Sequence, residues 1–340
     1  MILGLDVGGA HIKAVHRDGR AEVIPFPLWR EPDCLRDVLV AATENFRPFE
    51  QIALAMTAEL CDCFATKRHG VEAVLDAVVA FAKGRPVHVW VVRGGFVPVS
   101  VARQYPLECA AANWHALATY VARADPEKRV LLIDTGSTTT DVVYLQRGDV
   151  NASGWTDTDR LTMGELVYLG AARTPLMAMG PSVRWRHRDH GVMAERFAAT
   201  ADVFVLTGDL DEAPEDSDTS DGRPMTRAYA AARLLRMIGA DLEMLTQEDA
   251  VSLAQSFADI VDVRVVDAIH SVVGTSPVDH VVTSGSGAFI ADRASCRALP
   301  EVPRIRLADR IGEATSRAAC AYALVQLLVD PVPDAASAMG

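Results

Sequence analysis

The chain has 340 residues, half of them apolar and 23% charged, with 45 acidic against 33 basic side chains and a formal net charge of −12. This length exceeds the usual size of one hydrophobic core and predicts two packed lobes with a cleft between them, and the apolar share excludes a chain that needs disulfides or a structural metal to fold. The negative field opposes nucleic acid and anionic lipid as partners, so any anionic ligand must be held by local donors.

No basic start, apolar core or small-residue cleavage site precedes the first strand pattern, and no run approaches the roughly 20 apolar residues that cross a bilayer. The expectation is a soluble, cytoplasmic protein whose six scattered cysteines are free thiols. Cys61 and Cys63, with His69 nearby, lack the four-ligand spacing of a zinc site.

Residues 2 to 25 read as a meander of three strands turning at Gly8-Gly9 and Asp18-Gly19. Apolar spacing near 3.6 predicts helices over 33 to 46, 70 to 83 and 108 to 124, with strands at 51 to 56 and 87 to 92 between them. Residues 130 to 150 repeat the opening meander: VLLID, a Thr135-Gly136-Ser137 turn, DVVYL and a turn at Arg147-Gly148-Asp149. The repeat sets Asp6 on Asp134, Gly8 on Gly136 and Lys13 on Asp141, the mark of an internal duplication. Beyond it come a strand at 202 to 206, helices at 226 to 239 and 247 to 270, a strand at 279 to 283 and a closing helix at 312 to 329. Residues 208 to 224 carry seven carboxylates and two prolines and read as an exposed loop, and a Pro/Ala/Ser tail after Asp330 is expected to fray. The fold class is α/β, mixed sheets with helices on their faces.

In each meander a carboxylate closes a buried strand just before a turn rich in Gly, Ser or Thr, which suits a phosphate and a hard cation. Gly8, Gly9 and Gly136 admit phosphate oxygens to backbone N–H groups, and Ser137, Thr138 and Thr139 add hydroxyl donors. Asp6 and Asp134 offer hard oxygens to Mg²⁺, which is typically held by one or two carboxylates plus phosphate, and Lys13 adds positive charge. Ordinary hairpins favour the same turn residues, but two in matched register favour phosphate loops. A third segment, VVTSGSGAF at 281 to 289, sets Ser284, Gly285 and Gly287 between a strand and a helix, as either a ligand-binding turn or a plain tight turn.

The order of elements, including ECAAANWHA after the first hairpin and EATSRAACAYAL near the end, resembles the actin, sugar-kinase and Hsp70 superfamily. That resemblance implies a two-lobed, duplicated ribonuclease H-like fold: residues 1 to 128 the first lobe, 129 to 329 the second, with the last helix returning to the hinge. It makes Asp6, Gly8, Gly9 and Lys13 the first phosphate loop, Asp134, Gly136, Ser137 and Thr138 the second, and Ser284, Gly285 and Gly287 a turn against adenosine. The strings MTAELCDCFATKRHGV, TDRLTMGELVYLGAARTP, LTGDL and DGRPMTRAYAAARLLRMIGAD resemble the hydantoinase and oxoprolinase-related family linked to tetrahydromethanopterin C1 transfer. Its archaeal members join an aminomethylfuran-methyl diphosphate to the phenol oxygen of γ-glutamyltyramine and release diphosphate. The resemblance therefore implies a transferase of methanofuran or methylofuran biosynthesis that uses Mg²⁺ and does not require ATP; whether ATP binds is not legible in the chain.

A phenol with an ordinary pKa near 10 benefits from a base at neutral pH. Glu59, Asp62 and Glu165 are the acidic candidates for that role or for gripping the aminomethyl cation, and Lys67, Tyr168 and Arg173 are candidates for binding substrate. RWRHRDHG at 184 to 191 is a basic stretch in an acidic chain, read as a solvated loop, and its His187 and His190 have no visible further metal ligands. Two other readings stand beside the transferase: an ATP-dependent kinase or cyclic-amide hydrolase, and a non-catalytic nucleotide sensor. The oligomeric state is not legible in the chain.

Overall fold

Strands that are apolar on both faces need cover on both sides, and ILGLDVG and QIALAMT accordingly sit in the middle of a sheet. Residues 1–330 are described by the computed structural model, and the tail expected to fray lies outside the described residues. β1 (Ile2–Gly8) pairs antiparallel with β2 (His11–His16), and β2 with β3 (Ala21–Pro25). On its other edge β1 runs parallel to β4 (Gln51–Thr57) and then β5 (Val87–Trp90), with β6 (Phe96–Pro98) antiparallel at the rim.

The second sheet repeats this plan. β7 (Arg129–Thr135) and β8 (Thr140–Gln146) form its hairpin, and β9 (Asp149–Val150) and β10 (Leu166–Val167) both pair with β8. β11 (Ser182–Trp185) and β12 (Arg188–Gly191) make a separate ribbon. β13 (His280–Ser284) and β14 (Arg304–Arg306) then continue parallel from β7, as β4 and β5 continue from β1. Register makes the duplication concrete: Asp6 faces Lys13 across the first hairpin, and Asp134 faces Asp141 across the second.

The helices Asn113–Ala124 and Ala319–Val329 pack against one another between the sheets, with Tyr120 edge-on to Tyr322 at 5.4 Å between ring centroids. Small residues allow the close approach. A Cβ on Gly4 of β1 would lie 2.2 Å from the Ala321 carbonyl oxygen, so the floor of the first loop rests directly on the closing helix.

Four local expectations change. Residues 202 to 206 belong to a helix, Thr200–Thr207, not a strand; nearly every side chain in it is buried, which erases the periodicity that separates the two. Its ends decide the matter: the Asp202 carboxylate accepts the Ala199 amide at 2.9 Å, and Gly208 closes it at φ 84°. The helix expected at 108 to 124 is interrupted, because Ala111 adopts a left-handed φ of 48° between Pro106–Cys109 and Asn113–Ala124. The closing helix likewise divides into Glu313–Arg317 and Ala319–Val329. The basic stretch at 184 to 191 lies mostly in the β11–β12 ribbon, with Arg186 and His187 in the left-handed region at its turn and Trp185 buried, donating its indole N–H to Ser252 Oγ at 3.2 Å.

The acidic segment 208 to 224 is exposed for most of its length but is anchored. Arg233, fully buried, lies 2.7 Å from Asp202 and 3.0 Å from Asp221. Removing one member leaves a buried charge without its partner, so Asp202→Ala is expected to cost about 3–5 kcal/mol in a urea unfolding titration. A loss under about 1 kcal/mol would show that water reaches Arg233.

Candidate active site

A cavity of about 530 Å³ opens between the two hairpins, lined by both loops and by the end of β4. The first loop is tightly packed: a Cβ on Gly8 would lie 3.0 Å from the His11 carbonyl oxygen, and one on Gly9 would lie 2.6 Å from Cys61 Sγ, whose thiol would have to move. The second loop is braced from outside. The Gly136 amide donates to the Thr139 carbonyl at 2.8 Å, while the Gly136 and Ser137 carbonyls accept the amides of Ala171, Ala172 and Arg173 at 2.8–3.0 Å. Gly170 makes this brace possible, since a Cβ there would sit 2.4 Å from the Thr138 nitrogen. Among the described residues the amides of Ser137 and Thr138 find no hydrogen-bond partner in the protein, and both residues line the cavity. Unpaired amides beside the Ser137 and Thr138 hydroxyls, 3.4 Å from one another, make the kind of donor set that anion nests use.

Opposite charges meet on the cavity floor. Lys13 Nζ lies 3.3 Å from Asp6 Oδ2, which Asn113 Nδ2 also approaches at 3.4 Å. Burial works against the lysine charge, but Asp6 together with Cys320 and Asp134 holds its pKa above the usual lysine value. Burial raises Asp134 to about 6; Asp141 and Asp6 push in the same direction and Lys13 opposes them. Asp6 Oδ1 and Asp134 Oδ1 are both buried and unpartnered. Such oxygens, one from each hairpin, fit a hard divalent cation that takes its remaining ligands from water and phosphate. No cluster of three or more His, Cys, Asp or Glu side chains able to hold a metal occurs among the described residues.

Glu59 is the buried carboxyl of the other wall. It is 1% exposed, and its Oε2 has no partner. Burial pushes its carboxyl up to about 7, with Asp157 adding to the shift and Lys67 countering it. Gly70, on the helix Lys67–Ala82, abuts the Glu59 backbone so closely that a Cβ would fall 2.4 Å from its carbonyl oxygen. Beside it Lys67 of the first lobe and Asp157 of the second form an ion pair at 2.5 Å. Aromatic rings complete the walls: Arg173 lies 4.5 Å from the centroid of Trp29, and Arg160, held at 2.8 Å by Asp141, lies 3.8 Å from the centroid of Trp114.

Of the residues singled out in the sequence, Asp6, Gly8, Gly9, Lys13, Glu59, Asp134, Gly136, Ser137, Thr138, Thr139, Tyr168, Arg173 and Gly285 meet around this cavity. Five do not line it. Asp62 is exposed outside it, and Lys67 is engaged by Asp157. Glu165 turns away and accepts the Ser153 and Gly154 amides at 2.5 and 3.0 Å, a carboxylate bracing a loop. Ser284 is buried opposite Asp134 in the β7–β13 register, and the Gly287 amide donates to the Thr135 carbonyl at 2.8 Å. The glycine turn is thus packed against the second loop. Gly285 has φ 88°, and a Cβ there would lie 2.2 Å from the Thr135 oxygen and 2.9 Å from Asp134 Oδ1. Gly285→Ala is therefore expected to lower stability by about 2 kcal/mol or more and to disturb Asp134; an unchanged melting temperature would contradict this packing.

The sequence did not single out Trp29, Asn113, Trp114, Asp157 or Arg160 as site residues. Asp141 alone had a signal, its alignment with Lys13 in the duplication. Cys61 lines the cavity as a free thiol, and all six cysteines are free. The acidic loop approaches the first lobe, where exposed Asp218 lies 3.9 Å from Arg30. No helix among the described residues is long and apolar enough to cross a membrane.

Two sheets of repeated topology, each placing a carboxylate and a glycine-containing hairpin at a shared cleft, define the actin-like, duplicated ribonuclease H class. Within that class the chain belongs to the hydantoinase/oxoprolinase family, whose model matches residues 50–326. It is 33% identical over 331 residues, 96% of this chain and 97% of the relative, to a Methanocaldococcus jannaschii protein named (4-{4-[2-(gamma-L-glutamylamino)ethyl]phenoxymethyl}furan-2-yl)methanamine synthase. A Methanococcus vannielii protein of the same name is 27% identical over 204 residues, 59% of this chain and 91% of its own. Among solved structures, nucleotide-free acetone carboxylase aligns with a TM-score of 0.46 and 12% identity over 92% of this chain, and the chain spans about half, 51%, of that one.

Proposed function

We propose that this protein is a transferase of methylofuran or methanofuran biosynthesis that forms an aryl ether. It joins an aminomethylfuran-methyl diphosphate to the phenol oxygen of a γ-glutamyl tyramine or tyrosine acceptor and releases diphosphate. The observation that carries the reading is the buried Glu59 carboxyl, poised near neutral pH, in the same cavity as the two loops of a chain 33% identical to a synthase of such an ether.

Glu59 Oε2 takes the phenol proton; the phenol oxygen bonds to the furan methylene carbon; and the carbon–oxygen bond to diphosphate breaks, its electron pair leaving with the diphosphate. A base whose pKa lies near the working pH serves this transfer best. Lys13 and the Ser137 and Thr138 donors receive the anion, and the half-buried ring of Trp29 adds apolar surface for an aromatic group. Asp6 and Asp134 would hold Mg²⁺, which when bound neutralises diphosphate charge and improves the leaving group.

The test is diphosphate release from the furan diphosphate with Mg²⁺ and γ-glutamyltyramine or γ-glutamyltyrosine, without ATP, followed by mass spectrometry of the ether. Release coupled to the ether is the expected result. No product with either acceptor, alongside ATP consumption in a screen of small acids, alcohols and cyclic amides, would overturn the reading in favour of an ATP-dependent enzyme.

A further inference from the structure

Beyond the glycine turn the cleft continues into a smaller pocket of about 170 Å³, which shares Gly285, Ser286, Ser316 and Arg317 with it. Much of this pocket's polar wall is already committed: Arg306 pairs with Asp292 at 2.5 Å, and the Thr283 hydroxyl donates to the same carboxylate at 2.8 Å. Glu313 and Arg317 differ. Both belong to the short helix Glu313–Arg317, are exposed at the pocket's rim and border it, and among the described residues neither side chain has an ion-pair or hydrogen-bond partner, not even the other. An unpaired carboxylate and an unpaired guanidinium facing one small space complement a ligand that carries both an ammonium and a carboxylate.

The product named for the two relatives contains such a group. A γ-linked glutamyl unit spends its side-chain carboxyl on the amide and keeps its α-amino and α-carboxylate groups free. We propose that the smaller pocket holds this α-amino-carboxylate end of the acceptor, Arg317 taking the carboxylate and Glu313 the ammonium. The proposal rests on the ether-forming reading above. Because Arg317 borders both spaces, the acceptor enters the main cavity phenol first, and Ser286 and Ser316 add hydroxyls at the junction.

The experiment compares γ-glutamyltyramine with tyramine as acceptors for the wild type, Arg317→Met, Arg317→Lys and Glu313→Gln, measuring kcat/KM for ether formation and calorimetric binding of each acceptor. The wild type is expected to prefer the glutamylated acceptor at least about tenfold, Arg317→Met and Glu313→Gln each to lose about tenfold of that preference, and Arg317→Lys to retain part of it. Both acceptors need the same main cavity, so general damage lowers both rates and leaves their ratio unchanged. An unchanged ratio in the Met and Gln variants, or a wild type indifferent to the glutamyl group, overturns the proposal. Arg317-dependent binding of γ-glutamyltyramine without any ether supports the pocket while refuting the reaction; neither binding nor ether refutes both.

Discussion

Glu59→Gln is expected to lower turnover about 10²- to 10⁴-fold near neutral pH while making the protein more stable in mild alkali. The two effects share a cause. A carboxyl raised by burial to about 7 supplies its basic form only as pH rises through that value, so the wild-type rate should climb through about pH 7 and the glutamine variant should lack that limb. For stability the sign is reversed. Between the unfolded carboxyl pKa, near 4.5, and the folded value of about 7, the native state binds the extra proton. Stability therefore falls as pH rises through that window, and above it the wild type bears the full penalty of a buried, unpartnered carboxylate, at most about 3 kcal/mol. Melting curves at about pH 5 and pH 8 together with a pH–rate profile check this. A variant that loses rate and stability together, or keeps the wild-type profile, would exclude Glu59 as the base.

Asp6→Asn and Asp134→Asn should each reduce turnover at saturating Mg²⁺ by about 100-fold or more without unfolding the chain, because each removes one hard anionic oxygen from the cavity floor. Circular dichroism checks the fold and a Mg²⁺ titration checks the site. Since burial places Asp134 near 6, protons should compete with the cation, and the Mg²⁺ concentration for half-maximal rate should rise as pH drops below about 6. Near-normal turnover in both variants would remove the metal assignment and leave Lys13 and the loop donors as the whole anion site.

The sequence shows local features that recur along the chain. The two hairpins are legible because strand alternation, the carboxylate and the turn residues lie within a few positions of each other and occur twice, and the structure keeps them in identical register. Tertiary packing decided the rest. Local pattern cannot tell a fully buried helix from a strand, which is why residues 202 to 206 read as a strand where the structure has the helix Thr200–Thr207. Glu59 and Glu165 are equivalent as letters; one meets unpaired burial beside Gly70 and the other two loop amides. Trp29 and Arg173, or Asp141 and Arg160, come together only when separate elements fold to one cleft. Residue type and short spacing fixed what the loops could hold, whereas the protonation state of each carboxyl depends on desolvation and on charges brought close by packing, which no local stretch of chain encodes.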